Sequence, residues 1–325
     1  MTVGDNSARY GRGHNPDKAA TMPDGMHLLK GALRADQLPD YATSSDLFRS
    51  FVGVGDQGQT SRCWGYTHRE ALGVYAAGQL GLYDLLSANS AYYSARAMLR
   101  KLELEVGGHV MTRADVLANP LTDSGSEPTA GVLGLATTGI ASEAAWPSSA
   151  DPDQMNAEED LGEAEDADQR TLIVSSFGAI SAAPGKDRIL AVRQALAPFA
   201  DGTRGRAVPA SWATSTASFE SCNGSRVLTA ADFGPVGAWD HSMGMFAYRP
   251  SAAIAGEYEF LVPNHWGKAW GALCMDYVMT PTPAAQPLGQ LVAMPGCAWV
   301  SEDAVNAAAD LFLMNAVKKT LARKP

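Results

Sequence analysis

Cys63 lies in a setting that favours chemistry at its sulfur. It follows a loop of glutamine, glycine, serine and threonine in the stretch DQGQTSRCWGYTHREAL, and it comes at the predicted start of a helix. The positive end of a helix dipole stabilises a thiolate in the first turn. The polar loop predicts that the sulfur is accessible. Plain core packing is the alternative for a lone cysteine, so a catalytic role requires a partner that shares its proton.

A thiolate nucleophile needs a histidine that takes its proton and later protonates the leaving group. The chain has six histidines: His14, His27, His68, His109, His241 and His265. His68 lies on the same predicted helix as Cys63 but points to another side of it, which makes it a poor base. His241, in GAWDHSMGMFAY, stands at the start of a strand of small residues, where a sheet would hold it facing a cleft. His241 is therefore the candidate base, and His265 is expected to point the opposite way from Asn264 along its strand.

Three segments resemble those that carry the active site of papain-like cysteine peptidases. QGQTSRCW is similar to the family's nucleophile loop, and WDHSMGMFAY is similar to its histidine segment. VPNHWGKAWG is similar to its Asn-Ser-Trp-Gly segment, with His265 in place of the serine. The segments follow in the family's order of cysteine, histidine and asparagine. LSANSAYYSARAMLRKLE and Arg62 resemble the bleomycin-hydrolase branch, and GIASEAAWP resembles the turn that ends the family's helical lobe.

The resemblance implies a role for each matching residue. Cys63 would be the nucleophile, and His241 would be its general base and acid. Asn264 would hydrogen-bond the imidazole and fix its orientation. Gln57 would donate its side-chain amide to the oxyanion, together with the backbone N–H of Cys63. Trp266 would shield the hydrogen bond between Asn264 and His241 from water.

These roles imply acyl transfer, in which the thiolate attacks an amide and water hydrolyses the resulting thioester. Trp64, which directly follows the nucleophile, is assigned a supporting role. The scheme requires no cofactor and no metal, and the cysteines Cys63, Cys222, Cys274 and Cys297 are too scattered for a zinc site. The substrate would be a peptide or protein, whose sequence and mode of cleavage stay open.

Two other functions remain open at this point. A papain-fold structural or binding protein could keep the site without turnover, as His265 and the terminal extensions suggest. A Cys–His amidase or a transglutaminase-like acyltransferase is the second alternative. Such enzymes more often orient the histidine with an aspartate, and Asp240 directly precedes His241.

The order of elements predicts an α+β fold, with a helical lobe, an antiparallel β-rich lobe and the active site in the cleft between them. The expected parts are an N-terminal arm over 1–37, a mostly helical lobe over 38–150, an acidic loop over 151–170, a β-rich lobe over 171–298 and a C-terminal helix over 299–325. These boundaries follow changes in hydrophobic period and charge along the chain.

Hydrophobic periodicity predicts the main elements within these parts. A helix should run from Cys63 to about Gln79 even though it contains Gly65 and Gly73, and such a helix is expected to be closely packed. A second helix is expected over SANSAYYSARAMLRKLELE and a third over KDRILAVRQALAPF. The expected strands are TLIVSSFGAI, GRAVPASWATS, SMGMFAYRP, YEFLVPNHWG and GALCMDYVMT.

Composition limits the partners and the compartment. The chain has 325 residues, is 46% hydrophobic and carries a net charge of −10, which argues against nucleic acid as a partner. No apolar run approaches the roughly 20 residues of a membrane span. The polar N-terminus lacks the apolar stretch of a secretory signal, and few cysteines fit a reducing compartment, so we expect an intracellular, cytoplasmic protein. The terminal segments could mediate a homo-oligomer or a larger assembly.

Overall fold

The structure is a computed structural model, and it describes residues 23–44, 48, 52–106, 125–148, 170–277 and 291–318. The predicted N-terminal arm is thus described only from residue 23 onward. The predicted acidic loop lies outside the described residues except for Arg170, which begins a strand.

The described helices include the three that the sequence predicts. They are α1 (Cys63–Tyr75), α2 (Ala88–Val106), α3 (Pro128–Thr137), α4 (Lys186–Leu196), α5 (Ala217–Glu220) and α6 (Glu302–Ala307). A π-helical turn, Ala76–Leu80, extends α1 to about the predicted end. Within the predicted arm, the apolar residues near Met26 form a short 3-10 helix, Met26–Leu29, which buries Leu28 and Leu29.

The strands of the described residues pair in antiparallel fashion. They are β1 (Ala42–Thr43), β2 (Ile140–Ala141), β3 (Arg170–Ala179), β4 (Val208–Trp212), β5 (His241–Met245), β6 (Ala247–Pro250), β7 (Tyr258–Pro263), β8 (Met275–Tyr277), β9 (Leu291–Ala293), β10 (Cys297–Ser301) and β11 (Phe312–Lys318). One sheet has the order β1-β6-β7-β10 and another the order β11-β3-β2, while β4 pairs with β5 and β8 with β9. The α+β fold class is confirmed, as is the pairing of SMGMFAYRP with YEFLVPNHWG through β6 and β7.

The C-terminal helix predicted over 299–325 is wrong for residues 299–318, and the rest of that prediction lies outside the described residues. β10 continues to Ser301, α6 covers only Glu302–Ala307, and β11 then pairs along β3. Asp310 lies in the connection between α6 and β11. Its φ is 52°, in the left-handed region that aspartate tolerates better than most residues. Burial of Phe312 and Leu313 at 0% exposure outweighs the helical propensity of the alanine-rich sequence.

Two large clusters of buried apolar side chains form the core, and the site residues come from both. Cys63 and Trp64 belong to one cluster, whereas Trp266 and Trp212 belong to the other. Within the described residues, no helix is long and apolar enough to cross a bilayer.

Close packing of the nucleophile helix confirms the prediction made from its glycines. A Cβ added to Gly65 would lie 2.6 Å from the carbonyl oxygen of Ala88 and 2.8 Å from Cβ of Tyr92. A Cβ added to Gly73 would instead meet a methyl group of Val52 at 2.8 Å. Gly65 therefore permits α1 to approach the backbone of α2, and Gly73 faces a side chain.

We expect Gly65→Ala to destabilise the protein although alanine favours helix. The clash with the backbone of α2 should cost about 2–3 kcal/mol of the free energy of unfolding, which exceeds the gain of about 1 kcal/mol in helix propensity. Gly73→Ala is the matched control, because the Val52 side chain can shift, and its loss should be smaller. Urea denaturation measures both. Equal stability of Gly65→Ala and the wild type would contradict the close approach.

His68 is a core residue of α1. Its ring centroid lies 5.4 Å from that of Trp64 and 5.8 Å from that of Phe312, and the side chain is fully buried. Desolvation lowers the pKa of His68 from its ordinary 6.5 to about 3. The expectation that His68 is a poor base agrees with this position, since the ring is sealed among aromatic side chains.

His68 should make stability depend on pH. Below pH 6.5 the unfolded chain binds a proton at His68, whereas the folded protein does not until about pH 3. The contribution of neutral His68 is thus present above pH 6.5 and is lost as the pH falls, by about 1.4 kcal/mol per pH unit. Urea denaturation between pH 6.5 and 4 should show a shallower loss for His68→Leu than for the wild type. Parallel pH dependences would contradict the buried neutral histidine.

Candidate active site

The candidate nucleophile is the first residue of a helix. Cys63 begins α1, and Arg62 is its N-cap residue without a side-chain capping hydrogen bond. Arg62 is fully buried, donates from Nε to Thr60 Oγ1 at 2.9 Å and donates from Nη1 to Asn89 Oδ1. These bonds tie the end of the polar loop to α2. The N–H groups of the first helical turn have no acceptor within the helix, which suits them to bind a developing negative charge.

The sulfur is not accessible in this conformation. Cys63 is 0% exposed, and so are His241 and Asn264. The prediction of an accessible sulfur is therefore wrong for the conformation described. The polar loop does not leave Cys63 open because it is itself folded back, with Gln57 also at 0% exposure.

Gln57 and its neighbours are attached to the turn that follows β7. The backbone N–H of Gln57 donates to the carbonyl of His265 at 2.8 Å, and Gly267 donates to the carbonyl of Gly55 at 3.2 Å. The side-chain amide of Gln57 donates to the carbonyl of Thr60 at 2.7 Å. The loop thus brings Gln57 to the same turn that carries Asn264.

His241 and Asn264 are in direct contact. His241 is the first residue of β5, and Asn264 directly follows β7. Their side chains meet with 2.8 Å between Nε2 of the ring and Oδ1 of the amide. The same Oδ1 accepts the backbone N–H of His265 at 2.8 Å, so this atom is the amide oxygen and can only accept. Nε2 of His241 is therefore the protonated nitrogen.

Trp266 covers this contact from one side. Its ring centroid lies 5.0 Å from that of His241, and the side chain is 3% exposed. Phe219 packs edge-on against Trp266 with 5.4 Å between centroids. The hydrogen bond between His241 and Asn264 accordingly lies in an environment from which water is excluded, where it is stronger than in solvent.

Helix α1 packs directly against β5, the strand that begins at His241. Thr67 on α1 contacts β5 through its hydroxyl, with 2.9 Å between Thr67 Oγ1 and Ser242 Oγ. Because Ser242 follows His241, this contact anchors the start of β5 against α1. Cys63, His241 and Asn264 are thus carried by three segments that meet where the two lobes join.

Asp240 is engaged elsewhere. Its Oδ1 accepts from the backbone N–H of Thr214 at 2.7 Å and from the Thr214 hydroxyl at 3.0 Å, and its Oδ2 accepts from Ser215. The acceptor at His241 Nε2 is Asn264. This arrangement speaks against an aspartate-oriented amidase or acyltransferase.

The remaining candidates occupy separate places. Trp64 is fully buried against His68 and Phe312 in the core of the helical lobe. His27 lies near the surface with Nδ1 2.9 Å from the carbonyl of Asp24, and His14 and His109 lie outside the described residues.

Burial raises the pKa of Cys222, raises that of Cys274 to about 12 and raises that of Cys297 well above its ordinary range.

Thr67 and Glu70 are polar residues of the site that the sequence reasoning missed. They lie four and seven residues after Cys63, which places all three on one face of α1. Both side chains are fully buried, and His265 contacts both of them, by 3.1 Å to Thr67 Oγ1 and 3.2 Å to Glu70 Oε1. A glutamate on the buried face of a helix is the signal that could have revealed them, because such a residue requires a partner. Asn264 and His265 are both buried, and their side chains have different partners: His241 for Asn264, and Glu70 and the carbonyl of Ser242 for His265.

The described residues contain no group of three or more histidine, cysteine, aspartate or glutamate side chains that could hold a metal ion.

Comparison of the sequence with known proteins finds no matching protein-family model and no matching curated protein. Solved structures do match. Xylellain, a cysteine protease from Xylella fastidiosa, is 16% identical with a TM-score of 0.56, over 96% of this chain and 97% of that one. Digestive procathepsin L2 from the larval midgut of Tenebrio molitor is 17% identical with a TM-score of 0.56, over 98% of this chain and 81% of that one.

The cysteine protease and lectin-like domains of Cwp84, a surface layer associated protein of Clostridium difficile, are 14% identical with a TM-score of 0.57. That match covers 98% of this chain and 58% of the other. At such identities the likeness concerns the fold. The arrangement of a helical lobe and an antiparallel β-rich lobe agrees with the fold of these neighbours. The chain therefore has the fold of the papain-like cysteine proteases.

Proposed function

We propose that the protein is a cysteine peptidase that uses Cys63 as nucleophile, His241 as base and acid, and Asn264 to orient the imidazole. The observation that carries the proposal is the 2.8 Å contact between His241 Nε2 and Asn264 Oδ1, on segments that pack against the helix begun by Cys63. Because Asn264 accepts the hydrogen at Nε2, Nδ1 is the basic nitrogen of the neutral ring. Fixing the tautomer in this way is what the third member of a catalytic triad does.

The proposed reaction begins with transfer of the Cys63 thiol proton to Nδ1 of His241. The thiolate attacks the carbonyl carbon of a peptide bond, and the negative charge that develops on the carbonyl oxygen is stabilised by hydrogen-bond donors. The imidazolium then protonates the departing amine, which leaves a thioester on Cys63. Water, deprotonated by His241, hydrolyses the thioester and restores the thiol.

Gln57 is the proposed side-chain donor to the oxyanion. Its carboxamide is oriented by the hydrogen bond that it donates to the carbonyl of Thr60 at 2.7 Å. The fixed loop around Gln57 holds the amide in place before substrate arrives. Such preorganisation is the physical basis of oxyanion stabilisation, because no reorientation is needed when charge develops.

Substrate binding requires a change from the described conformation, since Cys63 and His241 are 0% exposed. The proposed enzyme therefore has a closed form, and the site must open before a peptide can reach the sulfur. Loop or lobe movements of this kind commonly limit the turnover of enzymes.

The same burial favours a second candidate function. A papain-fold binding or structural protein would keep Cys63 permanently sealed and would not turn over peptides. The two candidates differ in the reactivity of one thiol, which can be measured without knowing the substrate.

The compartment belongs to the proposal as well. All four cysteines are free in the structure, although Cys222, Cys274 and Cys297 are buried in the β-rich lobe. Free thiols fit a reducing, intracellular environment, in which Cys63 would stay active.

Labelling with a thiol alkylator tests the nucleophile. At pH 7, iodoacetamide should modify Cys63 faster than the other three cysteines, because burial raises the pKa of Cys222, Cys274 and Cys297. Peptide mapping by mass spectrometry gives the rate at each site. Cys63→Ala should abolish hydrolysis of a mixed peptide pool, with Cys297→Ala as a buried-thiol control.

Equal and slow labelling of all four cysteines, together with no hydrolysis, would support the silent protein. Hydrolysis that survives Cys63→Ala would exclude the proposed mechanism.

Gln57→Ala tests the oxyanion donor. We expect kcat to fall by about 100- to 1,000-fold, the usual cost of losing one such donor, while the alkylation rate of Cys63 stays close to that of the wild type. Thermal unfolding checks that the loop remains folded without the Gln57–Thr60 contact. A parallel fall in kcat and in alkylation rate would instead mean that Gln57 only holds the loop around the nucleophile.

A further inference from the structure

A buried acid and a buried histidine that the proposed reaction does not use lie behind the site. His265 follows Asn264, and Glu70 lies on α1. Nδ1 of His265 is 3.2 Å from Oε1 of Glu70, and both side chains are 0% exposed. Removing both groups from water costs free energy that must be offset by contacts inside the protein.

The contacts of His265 determine how the pair holds its proton. Nε2 of His265 lies 2.9 Å from the backbone carbonyl of Ser242, which can only accept, so Nε2 carries a hydrogen. Nδ1 then either donates to the carboxylate of Glu70 or accepts from its protonated form. In both arrangements the bond from Nε2 to Ser242 persists.

These contacts join the three segments that carry the proposed triad. Glu70 belongs to the helix that begins at Cys63, Ser242 follows His241 on β5, and His265 follows Asn264. A single imidazole therefore links all three backbones. Its ring is also fixed by Tyr66, which stacks on it with 5.5 Å between centroids and 25° between planes.

We propose that the Glu70–His265 pair positions His241 and Asn264 against the nucleophile helix. The inference rests on the proposed function, because it assigns a purpose to that geometry. A displacement of about 1 Å between reacting groups can reduce a rate by about 100-fold, so a rigid link between the three segments matters for turnover. Neither Glu70 nor His265 touches the reacting atoms, and both are positioning residues.

Other titratable groups face the pair. The ring of His241 lies 5.5 Å from that of His265, Tyr66 stacks on His265, and Cys297 of β10 interacts electrostatically with Glu70. The proposed influence of the pair on the triad is through geometry, because its contacts fix the positions of the segments that carry His241 and Asn264.

The test uses Glu70→Ala and His265→Ser, each of which removes one partner and leaves the other buried. Each variant should lower kcat by about 100-fold with KM changed by less than about threefold. Glu70→Gln keeps the size and a hydrogen bond to Nδ1, and it should restore kcat to within about tenfold of the wild type. The Glu70→Ala/His265→Ser double variant should lose no more than the worse single variant, because the two residues act as one unit.

Alkylation of Cys63 provides a readout that does not depend on peptide turnover. In the wild type, the rate with iodoacetamide should depend on pH as expected for a thiol paired with His241. In folded Glu70→Ala, the pH dependence of the alkylation rate should move toward that of an ordinary thiol. The reason is that the imidazole of His241 would no longer be held beside the sulfur of Cys63.

Glu259→Gln is the matched control. It breaks a partly buried ion pair with Arg249, in which Oε2 and Nε are 2.8 Å apart, at the opposite end of β7 from Asn264. This variant should lower thermal stability and leave the alkylation profile unchanged.

If Glu70→Ala and His265→Ser do not fold, the Thr67→Val variant tests the positioning role instead. It is nearly isosteric and removes the hydroxyl that contacts Nε2 of His265 and Oγ of Ser242. The expected loss in kcat is about tenfold, with the same change in alkylation profile. Folded variants with the kcat and the profile of the wild type would overturn the positioning role.

The two proposals fail in different ways. If the wild type hydrolyses no peptide but its histidine-dependent alkylation profile is lost in Glu70→Ala, the proposed function fails and the positioning role stands. If Cys63→Ala abolishes hydrolysis while Glu70→Ala and His265→Ser retain it, the positioning role fails and the proposed function stands.

Discussion

Exclusion of water from the junction between the two lobes is the constraint on which the site depends. His241, Asn264 and His265 are polar, and all three are 0% exposed. Each polar group there must find a partner in the protein or cost several kcal/mol. The amide oxygen of Asn264 meets this demand twice, by accepting from His241 and from the backbone of His265. An amide oxygen held by two such bonds has few alternative positions of similar energy, so Asn264 and His241 are fixed relative to each other.

The turn after β7 connects the polar loop before Cys63 with the residues that surround the ring of His241. It receives the polar loop through the bond from Gln57 to the carbonyl of His265, and it supplies Asn264 to the imidazole and Trp266 to the space beside it. Strand β7 is buried between β6 and β10, so the turn begins from a rigid base. Short polar segments acquire fixed positions here because they leave from strands and helices that are already packed.

Much of this arrangement was accessible from the sequence. The helix at Cys63, the strand at His241 and the α+β order follow from local periodicity. The resemblance of three segments to a known family indicated which residues are candidates for the site. The link between Glu70 and His265 was not accessible, since it joins two residues far apart in the chain and depends on how the lobes meet. The C-terminal strand was missed because its alanine-rich lead-in has the local propensity of a helix, and only contact with β3 and α1 decides otherwise.

Strand β11 has a consequence for biosynthesis. Phe312 at its start packs on Trp64 and His68 of α1, and the strand completes the sheet of β2 and β3. During synthesis these partners are missing until β11 has been made, long after α1. The packing around Cys63 is therefore completed late relative to the synthesis of α1 itself, and the candidate site cannot take its final form before that strand is in place.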